Sequence, residues 1–371
     1  MEKENSNESL LAYVKTLFPR ADLKDTLLIT CQHVLGKQVD LLDMLIRIGL
    51  SPENVYWLGK CYSTNKETAD ILEKKGIYLH SASREFDSHV AFDDQHKEAV
   101  IELLEQVKKE KSGVEFKHVI ILDDGGELIS ASNELLSDWK NIVGVEWTSS
   151  GFNRLKDMNI NFPIINMARS EAKLIIESPF IAEQAVGRIV QHLEKLNQPK
   201  ALVIGGGYIG TNIVSLLESK YEVHSYDIVI ERSKYHKDEF ANILGLYDVI
   251  IGCTGEIVVS QEHYVNIKKG ALLISVSSSD REFSAVNLRK QAAKITSPHG
   301  DLIIDGIGLI NCGFPITFDG SAHPIAEKKI AITIALAFAS VCQALETKNK
   351  NGFIDLNKEI QQKIIDNFSE L

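Results

Sequence analysis

The 371-residue chain has no run of about 18 consecutive uncharged apolar residues, so we expect no membrane span. Its first eight residues are polar and lack the apolar segment of a secretory signal. No Cys-x-x-Cys pair occurs, and no group of histidine, cysteine and carboxylate residues has metal-ligand spacing, so we predict no metal site. The few cysteines are dispersed, which favours reduced thiols and a cytoplasmic location. They are Cys31, Cys61, Cys253, Cys312 and Cys342.

The chain also lacks a basic balance. It has 51 acidic and 40 basic residues, a formal net charge of −11, and no concentrated basic run. Such a surface repels nucleic-acid phosphates, so we expect no nucleic-acid partner. An apolar fraction of 44% excludes a wholly disordered chain, and the length suggests roughly two domains.

Short β-rich runs alternate with longer amphipathic stretches, which predicts an α/β protein with parallel sheets. We place domain crossings near 180 and near 322. The stretch 330–345 is apolar enough for a buried helix, and 354–371 is predicted as one amphipathic helix. The expected strands cover residues 26–30, 55–58, 77–80, 118–122, 142–146, 164–167, 201–204, 222–226, 249–252 and 271–275.

A glycine motif follows the apolar run 201–204. The run Gly205-Gly206-Gly207-Tyr208-Ile209-Gly210 fits G-x-G-x-x-G and opens a predicted helix. Gly205 permits the tight turn, Gly207 lets the backbone approach a pyrophosphate, and Gly210 allows close helix–strand packing. In this context the motif predicts a dinucleotide site that also includes Tyr208 and Ile209. The alternative is a glycine turn that binds nothing.

Asp227 lies 20 residues after Gly207, at the end of the next predicted strand. A carboxylate there accepts hydrogen bonds from ribose hydroxyls and repels a 2′-phosphate, so NAD is favoured over NADP. Thr254 and Gly255 end a later strand and could border the cofactor, or form an ordinary turn.

Several segments, taken together in chain order, resemble S-adenosylhomocysteine hydrolase. The resemblance implies two doubly wound Rossmann-like domains, with an NAD domain (181–321) inserted into a discontinuous substrate domain (1–180 and 322–371), and homo-oligomers. It also implies transient oxidation of a ribose 3′-OH by bound NAD. The matching segments are 31–33, 62–65, 121–128, 148–151, 163–166, Lys173, the glycine loop, 254–255, 309–311 and 322–324.

The resemblance assigns catalytic roles to His33, Asp124, Lys173, Glu177 and His323. We expect burial beside a sugar to raise the pKa of Asp124, which suits an acid/base group. For each residue a plainer interpretation remains: Asp124 belongs to a turn, His33 is structural, and Lys173 and Glu177 form an ordinary surface i,i+4 pair. An insertion-like segment, 313–320, precedes His323 and weakens its alignment.

The resemblance further assigns Asn65, Trp147 and Thr148 to substrate binding and Asn311 to the cofactor. The family's glutamate is replaced by Trp147, with Glu146 one position earlier, and this predicts altered recognition of the adenosine part.

These features predict an NAD-dependent enzyme that oxidises a hydroxyl of a nucleoside-like small molecule, and that releases little homocysteine from S-adenosylhomocysteine. Two alternatives stay open. One is a non-catalytic NAD-binding regulatory protein, and the other is a dehydrogenase of a small hydroxy or amino acid.

Overall fold

The computed structural model describes residues 6–324, 327–347 and 350–370. It divides into two compact units. Unit 1 combines Met1–Glu85, His96–Glu177 and Ser321–Leu371, and unit 2 combines Phe86–Gln95 and Ser178–Gly320. The segment 86–95, which sequence reasoning assigned to the first domain, therefore clusters with unit 2.

The core of unit 1 is a seven-stranded sheet in which every pairing is parallel. Its order is β13-β6-β5-β4-β1-β2-β3. The chain runs outward from β1 to β3 and then returns beside β1 as β4, so the carboxyl ends of β1 and β4 flank a topological switch point. The strands are β1 (Thr26–Cys31), β2 (Val55–Leu58), β3 (Tyr78–Leu79), β4 (His118–Asp123), β5 (Ile142–Glu146), β6 (Pro163–Asn166) and β13 (Gly352–Asp355).

Helices cover both faces of this sheet, because successive side chains of a buried strand point to opposite faces. In β1, Leu28 belongs to one apolar cluster, whereas Leu27 and Ile29 belong to the other. The helices of unit 1 are α1 (Ser6–Leu17), α2 (Gly36–Arg47), α3 (Lys66–Lys74), α4 (Phe92–Lys111), α5 (Glu127–Leu135), α6 (Ser149–Leu155), α11 (Glu327–Glu346) and α12 (Lys358–Glu370), with the first residues of α4 belonging to unit 2.

Helix α11 is apolar and long enough to cross a membrane by composition alone, yet 72% of its residues 329–346 are buried. It packs against α1, α2 and α12. The buried helix predicted at 330–345 is therefore confirmed as a core element of unit 1.

Unit 2 has a six-stranded sheet of order β11-β12-β10-β9-β7-β8, in which only the β11–β12 pairing is antiparallel. Its switch point lies between β7 and β9. The strands are β7 (Lys200–Ile204), β8 (Glu222–Tyr226), β9 (Val249–Gly252), β10 (Leu272–Ser275), β11 (Leu302–Ile304) and β12 (Ile307–Leu309), and the helices are α7 (Ser178–Leu193), α8 (Tyr208–Leu217), α9 (Phe240–Ile243) and α10 (Ala285–Arg289).

The predicted fold class, α/β with two Rossmann-like parallel sheets, is confirmed. The single helix predicted at 354–371 is wrong in its first part. Residues 352–355 instead form β13, which pairs with β6, and α12 begins only at Lys358. Asn357 marks this start because its Oδ1 accepts hydrogen bonds from the amides of Glu359 and Ile360.

Candidate functional site

The glycine turn of unit 2 lies between β7 and α8, at the switch point of the sheet. Gly205 has φ +105°, a conformation that L side chains rarely adopt. A Cβ on Gly210 would lie 1.8 Å from the carbonyl oxygen of Gly205, so only glycine permits this packing of α8. A Cβ on Gly207, in contrast, would meet nothing within 4 Å. The turn is therefore closed on its inner side and open at Gly207, which is the geometry that close approach of a pyrophosphate requires.

Asp227 follows β8 and is bonded to this turn. Its Oδ2 accepts a hydrogen bond from the Gly206 amide at 2.6 Å, and its Oδ1 accepts one from the Val229 amide at 2.8 Å. Each oxygen of a carboxylate has a second lone pair, so Asp227 keeps the capacity to accept a hydroxyl.

The loop after β9 is held by hydrogen bonds to a buried carboxyl group, which the sequence did not predict. Glu282 is 1% exposed. Its Oε1 accepts hydrogen bonds from the amide and the hydroxyl of Thr254, at 2.5 and 2.9 Å, and its Oε2 accepts from Ser275 and Ser277. Burial raises the pKa of Glu282, and these hydrogen bonds oppose the effect. Glu282 thus fixes Thr254, and next to it Gly255 turns with φ +75°.

The other predicted cofactor residues differ in exposure. Tyr208 is 56% exposed at the start of α8, and Ile209 is half-buried. Asn311 is buried, and both protons of its amide are donated to the carbonyls of Pro315 and Phe318. Its side chain therefore fixes the loop that follows β12, and its predicted contact with a cofactor stays a prediction.

In unit 1, Asp124 follows β4 at the switch point and meets two basic side chains. Lys60 Nζ lies 2.5 Å from Asp124 Oδ1, and His33 Nε2 lies 3.5 Å from Oδ2. Both contacts follow from the topology, because Lys60 comes after β2 and His33 after β1. Asp124 and Lys60 are 5% and 4% exposed.

The charges of this cluster set the ionisation of Asp124. Burial alone would raise its pKa, but the positive charge of Lys60, aided by His33 and Lys173, lowers it instead. The expectation of a raised pKa is therefore wrong, because a buried cation outweighs desolvation. The carboxylate likewise raises the pKa of Lys60 against the effect of burial.

His33 is neutral in this setting. Burial lowers the pKa of its imidazole to about 4, and the Asp124 carboxylate opposes this only in part. Its Nδ1 lies 2.5 Å from the hydroxyl of Ser63, which in turn donates to the carbonyl of Lys60 at 3.2 Å. Ser63 therefore orients the ring.

Lys173 and Glu177 lie on a π-helical segment, Ala172–Glu177, which the sequence did not predict. Their side chains are 2.5 Å apart and only 13% and 12% exposed. The interpretation as a solvated surface pair is therefore wrong. The positive charge of Lys173 also lowers the pKa values of His33 and Asp124, so these predicted residues interact electrostatically. π-Helical turns occur often at functional sites.

Asp123 and Glu146 form a second carboxyl cluster beside Asp124. They are register partners at the ends of β4 and β5, and both are fully buried. Glu146 Oε1 accepts from the amide and hydroxyl of Thr148 at 2.7 and 2.8 Å. Glu146, one position before Trp147, therefore fixes the start of the loop at Thr148.

The three predicted substrate-binding residues have structural contacts. Trp147 is 5% exposed and belongs to the apolar core of unit 1. Asn65 caps α3 by accepting from the amide of Thr68, and Thr148 caps α6 by accepting from the amide of Gly151. These contacts explain the residues without a substrate, so their predicted role stays a prediction.

His323 lies against the start of α2. A Cβ on Gly36 would come within 2.3 Å of its ring, and the Gly36 amide donates to the carbonyl of Ala322. The ring is thus near the loop that carries His33. Within the described ranges, no three histidine, cysteine or carboxylate side chains come together as a metal site.

No family model matches the chain. It is 35% identical over 344 residues to an uncharacterized protein of Mycobacterium tuberculosis, Rv0104, and the match covers 89% of this chain and 68% of that protein. The chain belongs to the Rv0104 family.

This chain is also similar, more distantly, to proteins that are named as enzymes. It is 24% identical over 254 residues to the S-inosyl-L-homocysteine hydrolase of Methanocaldococcus jannaschii, covering 63% of this chain and 56% of that one. It is 25% identical over 199 residues to the adenosylhomocysteinase of Sulfurisphaera tokodaii, covering 49% and 47%. The resemblance found in the sequence is thus confirmed as a distant similarity.

Among solved structures, the chain matches the NAD⁺-bound 3-phosphoglycerate dehydrogenase of Entamoeba histolytica. The TM-score is 0.42 at 13% identity, over 89% of this chain and all of that one. A similarity at this level supports no inference about function.

Proposed function

We propose that this member of the Rv0104 family binds NAD through unit 2 and uses it to oxidise a hydroxyl group of a nucleoside-like small molecule bound through unit 1. The observation that carries the proposal is the glycine turn, closed at Gly205 and Gly210 and open at Gly207, with Asp227 bonded to it. The turn lies at the switch point where doubly wound sheets bind dinucleotides.

The chemistry of unit 1 supports the second half of the proposal. An ionised Asp124 and a neutral His33 lie side by side at the switch point of unit 1, and the charge of Lys173, which pairs with Glu177, acts on both. Such a cluster can accept the proton that a hydroxyl loses on oxidation, and bound NAD would supply the hydride acceptor. The distant similarity to two homocysteine-nucleoside hydrolases supports a nucleoside-like substrate.

The first experiment measures binding of NAD⁺, NADH and NADP⁺ by calorimetry to the wild type and to Gly207→Ala. A methyl group at position 207 meets no protein atom within 4 Å, so we expect an unchanged melting temperature. It would occupy the approach of a pyrophosphate, so we expect NAD⁺ binding to weaken at least about tenfold, which is 1.4 kcal/mol. Equal affinity of the two proteins for NAD⁺, or no binding by the wild type, contradicts the proposal.

The second experiment tests the reaction. The protein with NAD⁺ is mixed with nucleosides and with S-adenosylhomocysteine, and NADH absorbance and released homocysteine are recorded. We expect NADH to form with a nucleoside-type compound and little homocysteine to appear. A protein that binds NAD⁺ tightly but never reduces it would favour the regulatory alternative. Cytoplasmic location and homo-oligomers remain predictions.

A further inference from the structure

Lys60 is a buried cation for which the sequence resemblance provides no role. It follows β2 directly, and its ammonium group lies 2.5 Å from Asp124 with both side chains 5% exposed. Moving two charges out of water costs free energy that their mutual attraction often only repays, so a buried ion pair is weak evidence for stabilisation. The pair therefore needs an explanation beyond stability.

The charged groups around Asp124 fall into two sets, one of basic and one of carboxyl side chains. Lys60 and Lys173 act on it as cations and the His33 ring lies beside it, whereas Asp123 and Glu146 form a carboxyl cluster at the neighbouring strand ends. Without Lys60, Asp124 would be a buried carboxyl group next to two others, and desolvation would favour its protonated form.

We propose that Lys60 is a positioning residue that keeps Asp124 a carboxylate, so that the ligand group facing Asp124 must be a hydrogen-bond donor such as a hydroxyl. This rests on the proposed function only in taking Asp124 to contact the ligand. A carboxylate accepts hydrogen bonds and cannot donate them. Unit 1 therefore selects hydroxyl-bearing ligands, and Asp124 orients a hydroxyl by accepting its hydrogen bond instead of protonating a leaving group.

The test titrates Asp124 itself by ¹³C NMR of protein labelled at aspartate Cγ, with the signal assigned from Asp124→Asn. In the wild type we expect Asp124 to stay ionised to the lowest pH at which circular dichroism shows a folded chain. In Lys60→Met we expect its titration midpoint to rise by about 2 pH units, since a nearby opposite charge shifts a carboxyl by roughly 1–3 units. In Lys60→Arg, which keeps the charge, we expect a midpoint close to that of the wild type.

Lys75→Met is the matched control, because Lys75 pairs with Asp43 at 2.7 Å on a more exposed part of unit 1. It should leave the Asp124 signal unmoved. If Lys60 has a purely structural role, the titration midpoint of Asp124 in the folded Lys60→Met variant equals that of the wild type. That result overturns the proposal. If Lys60→Met does not fold, the titration of the wild type tests the proposal instead. A wild-type midpoint for Asp124 above the ordinary aspartate pKa of about 3.9 also overturns the proposal.

The titration needs neither NAD nor substrate. A failure here therefore leaves the proposed NAD binding standing, and a failure to bind NAD leaves the ionisation of Asp124 measurable.

Discussion

Asp123 and Glu146 are register partners at the ends of β4 and β5, and each has one carboxyl oxygen that no group among the described residues meets with a hydrogen bond. Asp123 Oδ2 accepts from the amide of Ile129 at 2.8 Å, and Glu146 Oε1 accepts from Thr148. The remaining oxygens, Asp123 Oδ1 and Glu146 Oε2, are buried and have no hydrogen-bond partner in the part of the chain that the structure describes. Burial disfavours the charged form of both groups, and the charge of Asp123 disfavours ionisation of Glu146 further.

This pair predicts a pH dependence of stability. Burial raises the pKa of Asp123 to about 7, and burial and Asp123 together raise that of Glu146. A raised pKa means that the folded state binds the proton more tightly. The stabilisation is therefore complete below the ordinary carboxyl pKa of about 4 and is lost as the pH rises through about 7.

Asp123→Asn tests this dependence, because the amide keeps an acceptor for the amide of Ile129 and carries no charge at any pH. We expect the variant to gain stability relative to the wild type between pH 5 and pH 8, measured as the free energy of unfolding in urea. The exposed Asp157→Asn serves as control and should show no such trend. A difference between Asp123→Asn and wild type that is constant with pH would be the contrary result.

Gly210→Ala should destabilise unit 2, because its Cβ would overlap the carbonyl oxygen of Gly205. Overpacking of this kind costs roughly 1–3 kcal/mol. The control is Gly187→Ala in α7, where a Cβ meets nothing within 4 Å, and removal of a helical glycine should stabilise by up to about 1 kcal/mol. Urea denaturation measures both, and equal effects would contradict the packing argument.

Asn65→Ala should lower stability by roughly 0.5–2 kcal/mol, since Asn65 caps α3 through the amide of Thr68 at 3.0 Å. Asn65→Asp keeps an acceptor and should restore most of the loss. If thermal melting of Asn65→Ala matches the wild type, the cap contributes nothing, and the predicted contact with substrate becomes the better explanation.

Arg289→Met should be strongly destabilising. The guanidinium group is 1% exposed, pairs with Asp280, and donates to the carbonyls of Ser88 and Cys312. Removing one partner of a buried pair costs about 3–5 kcal/mol. Combining it with Asp280→Asn should recover part of this loss in the same urea experiment.

The control for Arg289 is Lys294→Met, which breaks an exposed pair with Asp87 in the same unit. Such pairs contribute at most about 1 kcal/mol. Similar losses for the two single variants would show that burial does not set the strength of the Arg289 pair.

Local pattern determined the elements of this protein. Strands such as Val55–Leu58, Ile142–Glu146 and Val249–Gly252 were predicted to the residue, because a buried strand bounded by turn residues is visible in composition alone. The short strands at 302–304, 307–309 and 352–355 were missed, since such brief runs gain their hydrogen bonds only from a neighbour that is distant in sequence.

The glycine turn was likewise predictable from the sequence, because the positions that must lack a side chain lie close together in the chain. Lys60, Ser63 and Glu282 were not found, although each lies near the carboxyl end of a strand, where a signal was available. What only the tertiary structure decided is ionisation: the pKa of Asp124 falls because Lys60, 64 residues away in the chain, lies beside it. The pKa of a group depends on its distance in space from other charges and on its burial, and the order of residues in the chain gives neither quantity.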